Sequence, residues 1–190
     1  MALTNTYGKY ALDDTFLKSK FHEIINQYGI TTIVETGIHE GRSTLELSYM
    51  VSKVIGIEIL QEAVDVTKQR LNEHNRTNVD LYVGNSPVIL NQIVPTLDAD
   101  KCVFFLDAHW EDYWPINDEI KTLPKNKGII VVHDFVVPGH PELGFDSYHN
   151  QPFTYDFIKQ SLTEWSPTHR VEYNSQANGS CRGVGFIYSI

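Results

Sequence analysis

The sequence predicts a doubly wound α/β fold: a mostly parallel sheet with helices on both faces. Three observations carry this expectation. Short runs rich in β-branched residues recur along the chain, segments with apolar residues at helical spacing separate them, and glycines mark several of the junctions. With 190 residues, 42% of them hydrophobic, the chain is expected to build one core and one domain over 1–190.

The elements follow in order. Residues 16–28 place Leu17, Phe21, Ile24 and Ile25 on one face and stop at Gly29, marking a helix within an N-terminal helical segment, 1–30. TTIVE, 31–35, reads as a buried strand from its β-branched content. Helix 42–50 then leads to strand 53–59, helix 61–75 to strand 79–83, helix 86–94 to strand 102–106, and helix 116–123 to strand 128–132. Such alternation requires parallel pairing through right-handed crossovers. Residues 135–152, rich in Gly, Pro and polar side chains, read as one long active-site loop, able to close over a site or to serve as a homo-oligomer contact. Helix 153–165 precedes strands 169–173 and 184–189, which pair as an antiparallel edge and bring the sheet to seven strands.

A net charge of -9 and a pI near 5.3 point away from nucleic acid and anionic membranes, whose recognition needs clustered Lys and Arg. A small-molecule partner is expected instead. The start has no basic region followed by an apolar stretch, and nowhere do 18 apolar residues run together, so a cytoplasmic location with no membrane span is expected. Cys102 and Cys181, without CxxC spacing, read as reduced thiols.

In open α/β sheets ligands gather beyond the carboxyl ends of the strands. The first strand ends Glu35-Thr36-Gly37-Ile38-His39-Glu40-Gly41-Arg42-Ser43, an acid and then G-x-x-x-G before a helix. The glycines let backbone approach a ligand, or simply make a tight strand-to-helix turn. Glu58, about twenty residues on, ends the second strand where a carboxylate can meet a ribose diol, or merely face solvent. The third strand ends Gly84-Asn85-Ser86, which can bind an adenine edge, cap the next helix, or both. No G-x-G-x-x-G and no G-x-x-x-x-G-K-[ST] occurs, and Glu40 inside the loop would repel a pyrophosphate. A sulfonium cofactor with an amine and a ribose but no phosphate matches these acids.

Taken together, these residues resemble the S-adenosylmethionine site of class I methyltransferases, from about Thr31 to Ile190. The resemblance implies a Rossmann-like methyltransferase fold and a cofactor held by Glu35, Thr36, Gly37, Gly41, Ser43, Glu58, Ile59, Gly84, Asn85, Ser86 and Asp107. The antiparallel last strand, GVGFIYSI, agrees with that family's sheet.

The fourth strand runs into FFLDAHWEDYW and the fifth into IIVVHDF. Asp107 and Asp134 thus end neighbouring strands, where like charges repel unless a cation lies between them. A divalent ion on these carboxylates is one answer; hydrogen bonding by Asp107 and loop capping by Asp134 is another. His109 and His133 are likewise open to metal-ligand and structural roles, and Trp110, Tyr113 and Trp114 read first as packing. Leu-Asp-Ala-His-Trp-Glu-Asp, followed by a strand ending His-Asp and then Val-Pro-Gly, is similar to the catechol-type metal-dependent O-methyltransferases. That similarity implies Mg2+ or Mn2+ on Asp107 and Asp134, with His133 at a normally acidic ligand position. Two departures are plain: Ala108 is one residue extra, and Glu111 stands where those enzymes carry a basic lysine.

The expected reaction is methyl transfer from S-adenosylmethionine to a hydroxyl oxygen of a small molecule. Without a metal the base would be His109, with Asp107 or His133 next. The rivals are an NAD(P)-dependent oxidoreductase or epimerase on the same kind of sheet, disfavoured by the missing fingerprint, and a non-catalytic S-adenosylmethionine-binding protein.

Overall fold

The computed structural model describes residues 9–109 and 113–190. Its helices and strands, in chain order, are α1 (Thr15–Tyr28), β1 (Thr32–Thr36), α2 (Arg42–Met50), β2 (Lys53–Glu58), α3 (Gln61–Glu73), β3 (Val79–Val83), α4 (Ser86–Ile93), β4 (Cys102–Leu106), α5 (Ile116–Thr122), β5 (Ile129–His133), β6 (Ser147–Tyr148), β7 (Gln151–Pro152), α6 (Tyr155–Trp165), β8 (His169–Tyr173) and β9 (Val184–Ser189). Seven strands form one sheet in the order β3-β2-β1-β4-β5-β9-β8. β1 to β5 pair in parallel, and β9 runs antiparallel between β5 and β8.

Side-chain alternation divides the core into two layers. Ile33, Val103, Phe105, Val131 and Phe186 face α1 and α2 with Leu17, Phe21, Ile24 and Leu47. Their neighbours Val34, Phe104, Leu106, Ile130 and Ile187 face the opposite side, against Ile116, Ile120, Ile158, Leu162 and Trp165 of α5 and α6. Because β4 and β5 are buried on both faces, they read as unbroken apolar runs rather than alternating ones. Each large side chain so enclosed contributes about 2–3 kcal/mol.

Local signals fix the helix ends. Asp14 accepts a hydrogen bond from Phe16 N at 2.8 Å to start α1, and Gly29, with φ 63°, ends it. Helix α6 starts two residues later than its apolar pattern suggests, since Phe153 packs in the core and Thr154 caps the helix. The long loop is not structureless: it carries the β6-β7 hairpin, turned through His149 and Asn150 at positive φ. Among the described residues, no helix is long and apolar enough to cross a membrane.

Strand order reverses between β1 and β4, one leading outward to β2 and β3, the other to β5. That switch point opens a crevice at the carboxyl edge. Backbone hydrogen bonds run past the strands into the loops there: Asp107 N donates to Thr36 O at 3.2 Å, Gly37 N to Ile57 O at 2.9 Å, and Gly84 N to Glu58 O at 2.8 Å.

Gly41 shows why one of the loop glycines is needed. It has φ 70°, and a Cβ placed there would overlap the Thr67 side chain of α3. Gly139, with φ 82°, has nothing within 4 Å of such a Cβ. Gly41→Ala should therefore lower stability in urea unfolding by about 3 kcal/mol or more, from strain plus overpacking, and Gly139→Ala by about 1 kcal/mol from φ alone. Equal losses would show that the Thr67 contact does not matter.

Candidate functional site

One cavity of about 1000 Å³ lies over the crevice. Of the residues the sequence singles out, Glu35, Gly37, Ser43, Glu58, Ile59, Gly84, Asn85, Ser86, Asp107, His109, His133 and Asp134 line it. Two do not. Thr36 is enclosed in the sheet, and Gly41 packs against Thr67 instead of meeting the cavity. Gly37 serves a close approach, but to protein: a Cβ on it would stand 2.6 Å from the Asp107 carbonyl oxygen, so the β1 and β4 ends meet only because it lacks one. Trp110, Glu111 and Asp112 lie outside the described residues.

At the β2 end, Glu58 is fixed from three sides. Its carboxylate accepts from His39 N at 2.9 Å, Ile59 N at 2.8 Å and Leu60 N at 3.1 Å. A carboxylate offers about four acceptor positions, so one remains for a hydroxyl presented from the cavity. At the β1 end, Glu35 accepts from Thr44 Oγ1 at 2.6 Å. Burial pushes Glu35 up to about 8, against the pull of that hydroxyl.

A buried acid that sequence reasoning missed underlies Ser86. Glu119 of α5 is fully enclosed and accepts the Ser86 hydroxyl proton. Burial raises it to about 7, opposed by the hydroxyls of Ser86 and Thr36. With its proton spent on Glu119, Ser86 Oγ turns acceptor lone pairs to its other neighbours. An acid on an α5 turn with Asp118 and Lys121 beside it looks like surface helix in the sequence. Only the fold turns it inward.

The other half of the cavity concentrates charge. His133 Nδ1 stands 3.1 Å from Asp107 Oδ1 and 3.3 Å from Asp134 Oδ1. Burial pulls the His133 pKa down, but the two carboxylates outweigh it and hold the ring up at about 10. Asp107 is raised, burial prevailing over His133. Asp134 goes the other way: burial opposes ionisation, but His133 and Arg182 hold it well below the usual carboxylate range. Arg182, also missed, donates from Nε to Asp134 and from Nη2 to Asp146. His109 Nδ1 shares a 2.7 Å hydrogen bond with the Tyr148 hydroxyl of the hairpin, and its Nε2 lies 3.7 Å from Asp146 Oδ2 and 3.9 Å from Asp134 Oδ2. Trp114 packs as its sequence suggests, with ring centroids 4.6 Å from Tyr148 and 4.8 Å from Phe153, and so anchors the hairpin over the site.

Asp107, His109 and Asp134 each bring a ligand atom within 4.8 Å of the others, a spacing that could hold a metal ion. His133 stands outside that trio, its Nδ1 turned to the two carboxylates and its Nε2 buried without a partner. The donor set fits a divalent ion poorly all the same. Asp134 already faces one guanidinium and one imidazole, and a further cation would meet both.

The buried acids make stability pH-dependent. A glutamate in the unfolded chain titrates near 4.5, whereas native Glu119 keeps its proton to about 7. Over that window the native state binds the extra proton, so stability falls as pH rises. Glu119→Gln should therefore lose less stability between about pH 5 and pH 8 than the parent protein, by about 2–3 kcal/mol in urea unfolding. Parallel curves would contradict a buried, proton-retaining Glu119.

No protein-family model matches the chain. It is 35% identical over 89 residues to a protein-L-isoaspartate O-methyltransferase of Polaromonas sp., covering 40% of this chain and 38% of that protein. It is 32% identical over 78 residues to an RNA methyltransferase of Clostridium tetani, itself uncharacterized, covering 41% of this chain and 17% of that one. The matches thus span well under two thirds of either relative. Among solved structures, the O-methyltransferase TomG of Streptomyces achromogenes, in complex with S-adenosylmethionine, matches with a TM-score of 0.60 at 19% identity, over 91% of this chain and 79% of that one. An rRNA methylase of Streptococcus thermophilus matches with a TM-score of 0.54 at 12% identity, over 90% and 95%. The chain has the Rossmann-like methyltransferase fold, a seven-stranded, mostly parallel sheet with its last strand antiparallel.

Proposed function

We propose that this chain is an S-adenosylmethionine-dependent methyltransferase that acts on a hydroxyl oxygen of a small molecule. The observation that carries the reading is the split cavity at the switch point. One half offers Glu35, Glu58 and the Gly84–Ser86 turn; the other offers Asp107 and His109 beside them.

The first half suits the cofactor. Glu58 keeps one acceptor position for a ribose hydroxyl, Ser86 presents an oxygen with lone pairs to spare, and the acids suit a sulfonium while repelling a pyrophosphate. When bound, S-adenosylmethionine supplies an electrophilic methyl group. The protein must then align the acceptor and remove its proton.

His109 is placed for that proton. With Nδ1–H donating to the Tyr148 oxygen, Nε2 carries the free lone pair, and Asp134 and Asp146 stabilise the imidazolium that forms. Asp107, which contacts His133 Nδ1 and lines the cavity with His109, would position the acceptor. The wall of acids and the net charge of -9 favour a small acceptor over a polyphosphate chain, although two of the matched proteins carry RNA in their names.

Calorimetry checks the cofactor. S-adenosylhomocysteine should bind and NAD should give no heat, with Glu58→Ala weakening the former about tenfold through one lost charge-assisted hydrogen bond. NAD binding without S-adenosylhomocysteine binding would favour the oxidoreductase reading. Transfer of tritiated methyl to a panel of hydroxyl-bearing small molecules checks the base: His109→Gln should cut turnover about 100-fold while leaving S-adenosylhomocysteine affinity unchanged. Undiminished turnover would remove His109 from that role.

A further inference from the structure

We infer that Arg182, with the His133 imidazole beside it, is the permanent cation on Asp134 in the acceptor half, and that the chain therefore holds no divalent metal between Asp107 and Asp134. The inference concerns the acid cluster itself; only its bearing on catalysis rests on the methyl-transfer reading.

Three features fix the guanidinium in place. Its Nε donates to Asp134, a candidate ligand, and its Nη2 donates to Asp146 on the loop, so one planar group clamps two carboxylates. Gly144 lies against it: a Cβ at that position would stand 3.1 Å from both Cδ and Nη1 of Arg182, so the glycine lets the loop backbone lie close over the side chain. Backbone pairing then locks the arrangement, with Gly144 N donating to Cys181 O and Gly183 N to Gly144 O, both at 2.8 Å.

An arginine keeps its charge at any pH a protein survives, so the cluster carries this compensation permanently. A divalent ion on Asp107, His109 and Asp134 would have to bind an Asp134 already committed to the guanidinium, with that positive charge beside it. Coulomb repulsion from the guanidinium opposes it. Arg182 also has a positive consequence. By holding Asp134 and Asp146 it aims their second oxygens at His109 Nε2, 3.9 and 3.7 Å away. In methyl transfer it is a positioning residue, acting through the acids that flank the base.

The test titrates Mn2+ into the full chain and follows the free ion by electron paramagnetic resonance. The parent protein should leave the signal as in buffer up to about 1 mM, the weak end of protein affinities for such ions. Arg182→Gln, which removes the charge, should take up Mn2+, and adding Asp134→Asn should abolish that uptake; Arg182→Lys should behave as the parent. Uptake by the parent protein that Asp134→Asn abolishes would overturn the inference. So would an Arg182→Gln protein, folded by circular dichroism, that stays free of Mn2+. Should Arg182→Gln fail to fold, the parent and Arg182→Lys titrations decide alone, uptake contradicting the proposal and its absence supporting it. None of these readings depends on turnover, so a failed methyl-transfer assay and a failed inference remain distinguishable.

Discussion

Crowding of acids at the carboxyl ends of adjacent strands is the constraint on which this molecule is built. Glu35 comes from β1, Asp107 and Asp134 from the turns after β4 and β5, and Glu119 reaches Ser86 in the same region from α5. Four carboxylates in so little volume cannot all be ionised without compensation. The fold meets this in two ways. Where no cation is near, the acids keep their protons: Glu35 is held up at about 8 and Glu119 at about 7. Where ionisation is kept, His133 and Arg182 stand within contact of Asp134. The cavity is thereby divided into a half around Glu35 and Glu58, suited to an adenosyl group, and an ion-paired half around His109.

Much of this was legible in the sequence, and for identifiable reasons. Strands β4 and β5 announce themselves because a strand buried on both faces leaves an unbroken apolar run, and their last residues fall at the rim as a consequence. The acids at 35, 58, 107 and 134 were therefore readable as a set. Glycine was less transparent. Gly41 was read toward a ligand or as a turn glycine, and its left-handed backbone and the Thr67 side chain behind it demand a residue without a Cβ.

What the sequence concealed depends on long-range contacts. Ser86 meets Glu119 across 33 residues and Asp134 meets Arg182 across 48, distances over which no local pattern operates. The β6-β7 hairpin was hidden for another reason: strands of two residues are too short to show alternation. Yet the hairpin delivers Tyr148 to His109, and its loop delivers Asp146 to Arg182. The composition marked a long loop; what it contributes at the cavity, Asp146 against Arg182 and Tyr148 against His109, came from the fold.

The half of the cavity lined by Glu58 and the Gly84–Ser86 turn is expected to receive an adenosyl group at the β2 and β3 ends. A crystal structure of the complex with S-adenosylhomocysteine tests this most directly. It should place a ribose hydroxyl within hydrogen-bonding distance of the Glu58 carboxylate and the adenine beside Ser86. Density for the ligand anywhere else, or a Glu58 turned away from it, would contradict the account.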